Sequence, residues 1–278
     1  MARRNFYGGL PVGKTKIEWT ADANGNPGFS FNPWGGCAAV SEGCRNCYAE
    51  EMANRFPKIH GTWGPNGRRV MRSESYWRQP LKWNAAAAEE GVRKRVFCAS
   101  MADVFEELPP GHVDGSAMEI ARQRLWETIR ATPNLFWLLL TKRPENVAGI
   151  WGHAPWPENA WLGVSVENQE MMDKRGPILL DLKRRYNIPV AFLSLEPLLA
   201  PLILPKEYLA LGKAGWCLVG GESGAKARLM KLSWALDLRW QCKENDVPYF
   251  FKQSSQNWIN FKDFNSFPEG LKIREFPK

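Results

Sequence analysis

The sequence predicts an α/β fold built on a mostly parallel sheet, either an open doubly wound sheet or a barrel. Seven short apolar runs recur along the chain, at residues 29–32, 95–100, 135–141, 161–166, 190–195, 216–220 and 248–252. Several are solidly apolar rather than alternating, the pattern of strands buried on both faces. Stretches of helical periodicity lie between them, at 47–55, 116–130, 169–186 and 232–245. That β-then-α rhythm is the signature of crossover connections between parallel strands.

Taken in order, the chain opens with turn chemistry. Gly, Pro and Asn punctuate the first 36 residues, including Asn24-Gly25-Asn26-Pro27-Gly28, so residues 1–28 are expected to form a loop-rich extension. Residues 29–254 then carry all seven strand runs in a single domain, and residues 255–278 form a tail. The first strand run leads into a cysteine-rich loop. The second is followed by Ser100 and Asp103, the third by Thr141, Lys142 and Arg143, and the fourth carries Ser165 and Glu167. The fifth is followed by Glu196, the sixth by Glu222, and the seventh carries Lys252 and Gln253. The carboxyl edge of a parallel sheet is where ligands bind, and polar residues recurring there mark an active-site mouth.

Composition narrows the class. The chain has 278 residues, 44% of them hydrophobic and 24% charged, in the range of globular domains. No run of about 18 apolar residues exists to span a bilayer, so no membrane partner is expected. Met1 to Phe6 carries two arginines with no apolar run behind them, so no secretory signal is read there and a cytoplasmic setting is expected. The net charge of +8, from 37 basic and 29 acidic residues, favours an anionic partner, with nucleic acid the foremost. Arg68, Arg69 and Arg72 followed by Tyr76, Trp77 and Arg78 interleave charge with rings, as a nucleic-acid surface or a solvated loop would.

Three of the six cysteines fall within eleven residues, at Cys37, Cys44 and Cys47. The last two form a C-x-x-C pair that reaches one metal centre from a single turn, and the six residues after Cys37 fold a third thiolate onto it. Gly35, Gly36 and Gly43 permit the tight path. Cys47 opens a helix, where nearby N–H groups favour thiolate. A structural zinc site asks for four protein ligands, and only His60 or Cys98 offers itself as the fourth. An iron–sulfur cubane on three cysteines leaves one iron open for a small molecule. Both ligations, and unligated thiols, remain open on spacing alone. Cys98, Cys217 and Cys242 sit among apolar neighbours and are read as buried structural residues.

At this point the chain resembles a known group. The Cx6CxxC motif in the first strand-to-helix loop is similar to the radical SAM signature Cx3CxxC. The wider chain resembles the phage and bacterial three-Cys-motif proteins through Phe31 to Cys37, Val40 to Glu50, Leu139-Leu140-Thr141-Lys142-Arg143-Pro144, Leu162 to Glu167, Ser194-Leu195-Glu196-Pro197-Leu198 and Val219-Gly220-Gly221-Glu222-Ser223-Gly224. The resemblance implies a partial parallel (β/α)6 barrel of radical SAM type. It implies that Cys37, Cys44 and Cys47 bind three irons of a [4Fe-4S] cluster whose fourth iron takes S-adenosyl-L-methionine (SAM), and that a reductant such as a flavodoxin or ferredoxin feeds it. A 5′-deoxyadenosyl radical would then abstract hydrogen from the substrate, the cofactor carrying the hard chemistry.

The same resemblance points to Ser100 and Asp103 as cofactor-binding candidates; their place at the strand-end rim and in the glycine-rich loop adds Glu167, Glu222 and Arg228 for the cofactor, and Lys142, Glu196 and Lys252 as catalytic candidates. For Glu222 in its glycine-rich loop, a tight turn with a surface acid is the competing reading. The function expected is a radical enzyme of isomerase or transferase type acting on a nucleic-acid or nucleotide substrate, as in hypermodification of phage DNA. A metal-stabilised nucleic-acid-binding protein without activity, and a radical SAM enzyme for a small metabolite, are the alternatives.

Overall fold

All seven apolar runs form strands, and they line up in chain order. The computed structural model describes residues 14–22, 25–255 and 263–277. Residues 1–13, residues 23–24 of the predicted turn, and tail residues 256–262 and 278 lie outside the described residues. The elements are β1 (Phe29–Ser30), β2 (Trp34–Gly35), α1 (Tyr48–Arg55), α2 (Pro57–His60), β3 (Val70–Met71), α3 (Glu74–Trp77), α4 (Gln79–Glu89) and β4 (Lys94–Cys98). There follow α5 (Gly115–Arg130), β5 (Leu135–Thr141), α6 (Pro144–Trp151), β6 (Ala160–Ser165), α7 (Gln169–Tyr186), β7 (Ala191–Leu195), α8 (Lys206–Leu209), β8 (Gly215–Gly220), α9 (Leu232–Lys243) and β9 (Tyr249–Gln253).

The main sheet runs β1-β4-β5-β6-β7-β8-β9, and every neighbouring pair is parallel. β2 and β3 form a separate antiparallel ribbon. Because strand order never reverses, each right-handed crossover carries its helix to the same face. The result is a singly wound, curled half-barrel rather than a doubly wound sheet. Six crossovers join the seven strands, so the six β/α units of the expected partial barrel are present with a further strand closing the series.

Both faces of the sheet are buried, as the apolar runs require. Alternate residues such as Val96, Trp137, Leu139, Val164, Leu193, Val219 and Phe251 pack outward beneath the helices. The intervening Phe97, Leu138, Trp161, Phe192, Trp216, Leu218 and Phe250 fill the concave side together with Trp19. Gly163 is required by that inner packing, since a Cβ there would stand 2.1 Å from the Phe192 ring.

The terminal segments are part of the barrel. Lys14 bridges antiparallel to Phe29 on the β1 edge, and Arg274 to Phe250 on the β9 edge. The buried Trp19 belongs to the inner cluster, and Leu271 is fully buried against the outer one. No helix among the described residues is long and apolar enough to cross a membrane.

Candidate active site

The ribbon strand β2 delivers the chain into the cysteine loop at the carboxyl edge of the sheet. The Gly36 N–H donates to Met101 O at 3.1 Å and the Gly64 N–H to Cys37 O at 2.9 Å, so the loop starts pinned to two other segments. Cys44 ends a 3₁₀ turn, Glu42–Cys44. Cys47 donates its N–H to Cys44 O at 3.2 Å, and its own carbonyl accepts from Glu50 and Glu51 at 3.1 and 3.2 Å, where α1 begins. The C-x-x-C pair is thus fixed by local backbone bonds. All three cysteines are free thiols.

Cys37, Cys44 and Cys47 line one cavity of about 850 Å³, whose wall also carries Ser100, Asp103, Lys142, Glu196, Glu222 and Lys252. Residues from several strand ends thus line one cavity. Its apolar floor is the top of the inner cluster, Trp19, Phe97, Leu140 and Phe250. Trp19 and Trp63 on this wall had no signal in the sequence, because neither lies near a strand end or a recognisable motif.

The predicted rim residues divide into two groups. One group braces the cysteine loop. Glu167, fully buried and outside the cavity wall, accepts from the Gly43 N–H at 3.2 Å and from Arg175 at 2.9 Å. Its carboxylate lies so close that a Cβ on Gly43 would stand 2.9 Å from it. Glu222 accepts from Arg228 at 2.6 and 2.9 Å and from Asn46 at 3.0 Å, and Arg228 reaches on to Glu42 at 3.0 Å. Asp103 accepts from Thr141 Oγ1 at 2.8 Å and from Lys142 N, Phe105 N and Arg143 Nη1 at 3.0 Å each. Ser100 is tied to Ser30 and Asn32, and its carbonyl accepts from Tyr48 Oη at 2.7 Å. Each of these side chains is engaged by protein partners.

The other group faces the open space. Lys142 Nζ donates to Ser165 Oγ at 2.8 Å. Lys252 pairs with Glu196, whose second oxygen accepts from Gln253, and the Lys252 ammonium sits 5.1 Å from the Trp19 ring centroid. Two cations and an acid at the mouth of an aromatic-floored cavity suit a substrate carrying both apolar and anionic parts.

The basic run is split: Arg69 turns inward, Arg72 is half-buried, and Arg68 and Arg78 stay exposed. Arg69 is buried against Glu106 at 2.8 Å and Arg68 pairs with Asp114 at 2.9 Å. Tyr76 stacks on Phe31 and Trp77 meets the same ring edge-on.

Burial pushes the Cys37 thiol well up, and Glu106 and Asp103 push it further against the pull of Arg143. Burial also raises Cys47, opposed by backbone donors and by Lys142. Thiols so placed become strong ligands once a metal cation bears on them, since coordination deprotonates a thiol outright. Among the described residues no three His, Cys, Asp or Glu side chains stand close enough to share one metal ion. The three thiols meet as part of the lining of one cavity.

The comparisons with known proteins give a family without an assigned activity. The family described as "Protein of unknown function (DUF5131)" matches residues 14–269, and the chain belongs to it. No curated protein and no solved structure matches the chain.

Proposed function

We propose that this member of a family of unknown function is a radical SAM-type enzyme. In this reading Cys37, Cys44 and Cys47 hold a [4Fe-4S] cluster, and SAM and a nucleotide or nucleic-acid base share the cavity. One observation carries it: three free thiols open together onto a cavity of about 850 Å³ at the carboxyl edge of a singly wound parallel half-barrel. When bound, the cluster and SAM supply an electron and a carbon-centred radical that takes a hydrogen atom from the substrate.

The chain's own residues do the rest. Trp19, Phe97, Leu140 and Phe250 exclude water from the cavity floor, which protects a reactive species from side reactions. Lys142 and Lys252 supply positive charge for an anionic group, and Glu196 with Gln253 orients Lys252. A cavity of this size takes a single nucleotide beside a cofactor but not a duplex, so a base in DNA would have to be extruded to reach it. The net charge of +8 supports an anionic polymer as the source.

Anaerobic reconstitution with iron and sulfide, followed by dithionite and SAM, tests the reading. About four irons per chain and release of 5′-deoxyadenosine are expected, both lost in Cys44→Ala. One zinc per chain with SAM left intact overturns it in favour of a metal-stabilised binding protein.

A further inference from the structure

Cys37 is held differently from its two companions. Cys44 and Cys47 sit on a turn and a helix start, but six residues separate Cys37 from Cys44, and no helix or strand covers residues 38–41 next to Cys37. What holds Cys37 is a buried ionic group. Arg143, only 7% exposed, donates from Nη1 to Cys37 Sγ at 3.8 Å and to Asp103 at 3.0 Å. From Nη2 it donates to Ala38 O at 2.8 Å and to Glu106 at 3.4 Å. Its backbone N–H donates to Thr141 Oγ1 at 2.8 Å, and that hydroxyl in turn donates to Asp103.

The grip extends to the far side of the loop. Glu106 accepts two bonds of 2.8 Å from Arg69 Nε and Nη2; Nη2 also donates to Gly64 O at 3.0 Å, and Nη1 to Gly67 O at 2.6 Å. The Gly64 N–H holds the Cys37 carbonyl at 2.9 Å. The sulfur, the Cys37 carbonyl and the Ala38 carbonyl therefore all answer to one alternating series, Asp103, Arg143, Glu106 and Arg69. A planar fork with five donors can serve two acids and two loop acceptors together, whereas an ammonium presents its donors from one point.

We propose that Arg143 is a positioning residue for the metal centre, setting the Cys37 thiol in register with Cys44 and Cys47. The inference rests on the cluster reading only for what the register is used for. The hold on Cys37 is a property of the protein without metal.

Arg143→Lys keeps the charge between Asp103 and Glu106, and so avoids stranding two buried acids, but gives up the fork. In metal-free protein, alkylation by N-ethylmaleimide mapped by mass spectrometry should rise about tenfold at Cys37 relative to Cys47, the equivalent of one charge-assisted hydrogen bond. The ratio of Cys44 to Cys47 should stay constant. After reconstitution, the reduced cluster of the variant should give an altered electron paramagnetic resonance spectrum. An unchanged Cys37 ratio together with an unchanged spectrum overturns the proposal. Release of Cys37 in a protein that takes up no iron upholds the positioning role and sinks the cluster reading instead. If Arg143→Lys does not fold by circular dichroism, Thr141→Val removes only the hydroxyl that orients Asp103 and the Arg143 backbone. The Cys37 ratio must then rise, or the proposal falls.

Discussion

Glu167→Ala would leave the Arg175 guanidinium, 3% exposed, without its acidic partner and with only the Ser165 carbonyl, and would free the Gly43 N–H of the cysteine loop. Removing one half of a buried ion pair costs about 3–5 kcal/mol, mostly the penalty of an uncompensated charge. Urea unfolding should show a loss of that size. A Glu167 that served a ligand instead would leave stability nearly intact and change only binding. This residue marks the limit of what was legible at its scale. The thiols could be read from spacing, because C-x-x-C geometry is local. An acid after a strand, by contrast, can face a cavity or turn back to brace a loop, and the choice depends on residues such as Gly43, 124 positions away. Arg69 misleads for the same reason, since its acidic partner Glu106 lies 37 positions on.

At the scale of elements, the seven strands and the helices α1, α5, α7 and α9 announced themselves by apolar runs and periodicity. α4 and α6 did not. α4 is built around Ala85 to Ala88, which carry little amphipathic contrast, and α6 starts on Pro144 directly behind the end of β5. The loop after β8 reads from the sequence either as a ligand loop or as a tight turn with a surface acid, and in the structure Glu222, Arg228, Asn46 and Glu42 clasp it to the cysteine loop. Burial pushes the Glu222 carboxyl up, but the bonds from Arg228 and Asn46 outweigh it and hold the group below the ordinary carboxylate range. A carboxyl whose folded value is depressed stabilises fully above its unfolded value, and that contribution is lost as pH falls through the folded one. Stability should therefore decline as pH drops from about 5 to about 3. In Arg228→Met the slope over that window should be shallower, because the main cause of the depression is gone. Urea unfolding at stepped pH measures both slopes, and equal slopes would mean the clasp contributes nothing.

For the whole molecule, a half-barrel poses a problem that a closed barrel does not, since its two outer strands leave edges and a lateral gap. Here the terminal segments answer it together. Lys14 and Thr15 line the β1 edge and residues 273–275 the β9 edge, through bonds such as Thr15 N to Gly28 O at 3.1 Å and Phe251 N to Ile273 O at 3.0 Å. Arg274 then pairs with Glu18 at 2.7 Å, joining the two covers across the gap. Behind that joint, Trp19 sets its ring 4.6 Å from Phe97 and 6.3 Å from Trp216, and supports Lys252 from below. Sequence punctuation reads this stretch as loop and is silent about its place, because a loop's destination is set by the surface it covers. Trp19→Ala removes a 3%-exposed side chain from the inner cluster and should cost about 3–5 kcal/mol. It should also admit water to the cavity floor and loosen Lys252. A segment merely appended to the barrel would instead leave the main urea transition where it was, with any change confined to a separate early step. A single transition, moved as a whole to lower urea, is the outcome expected of a segment that completes the inner core.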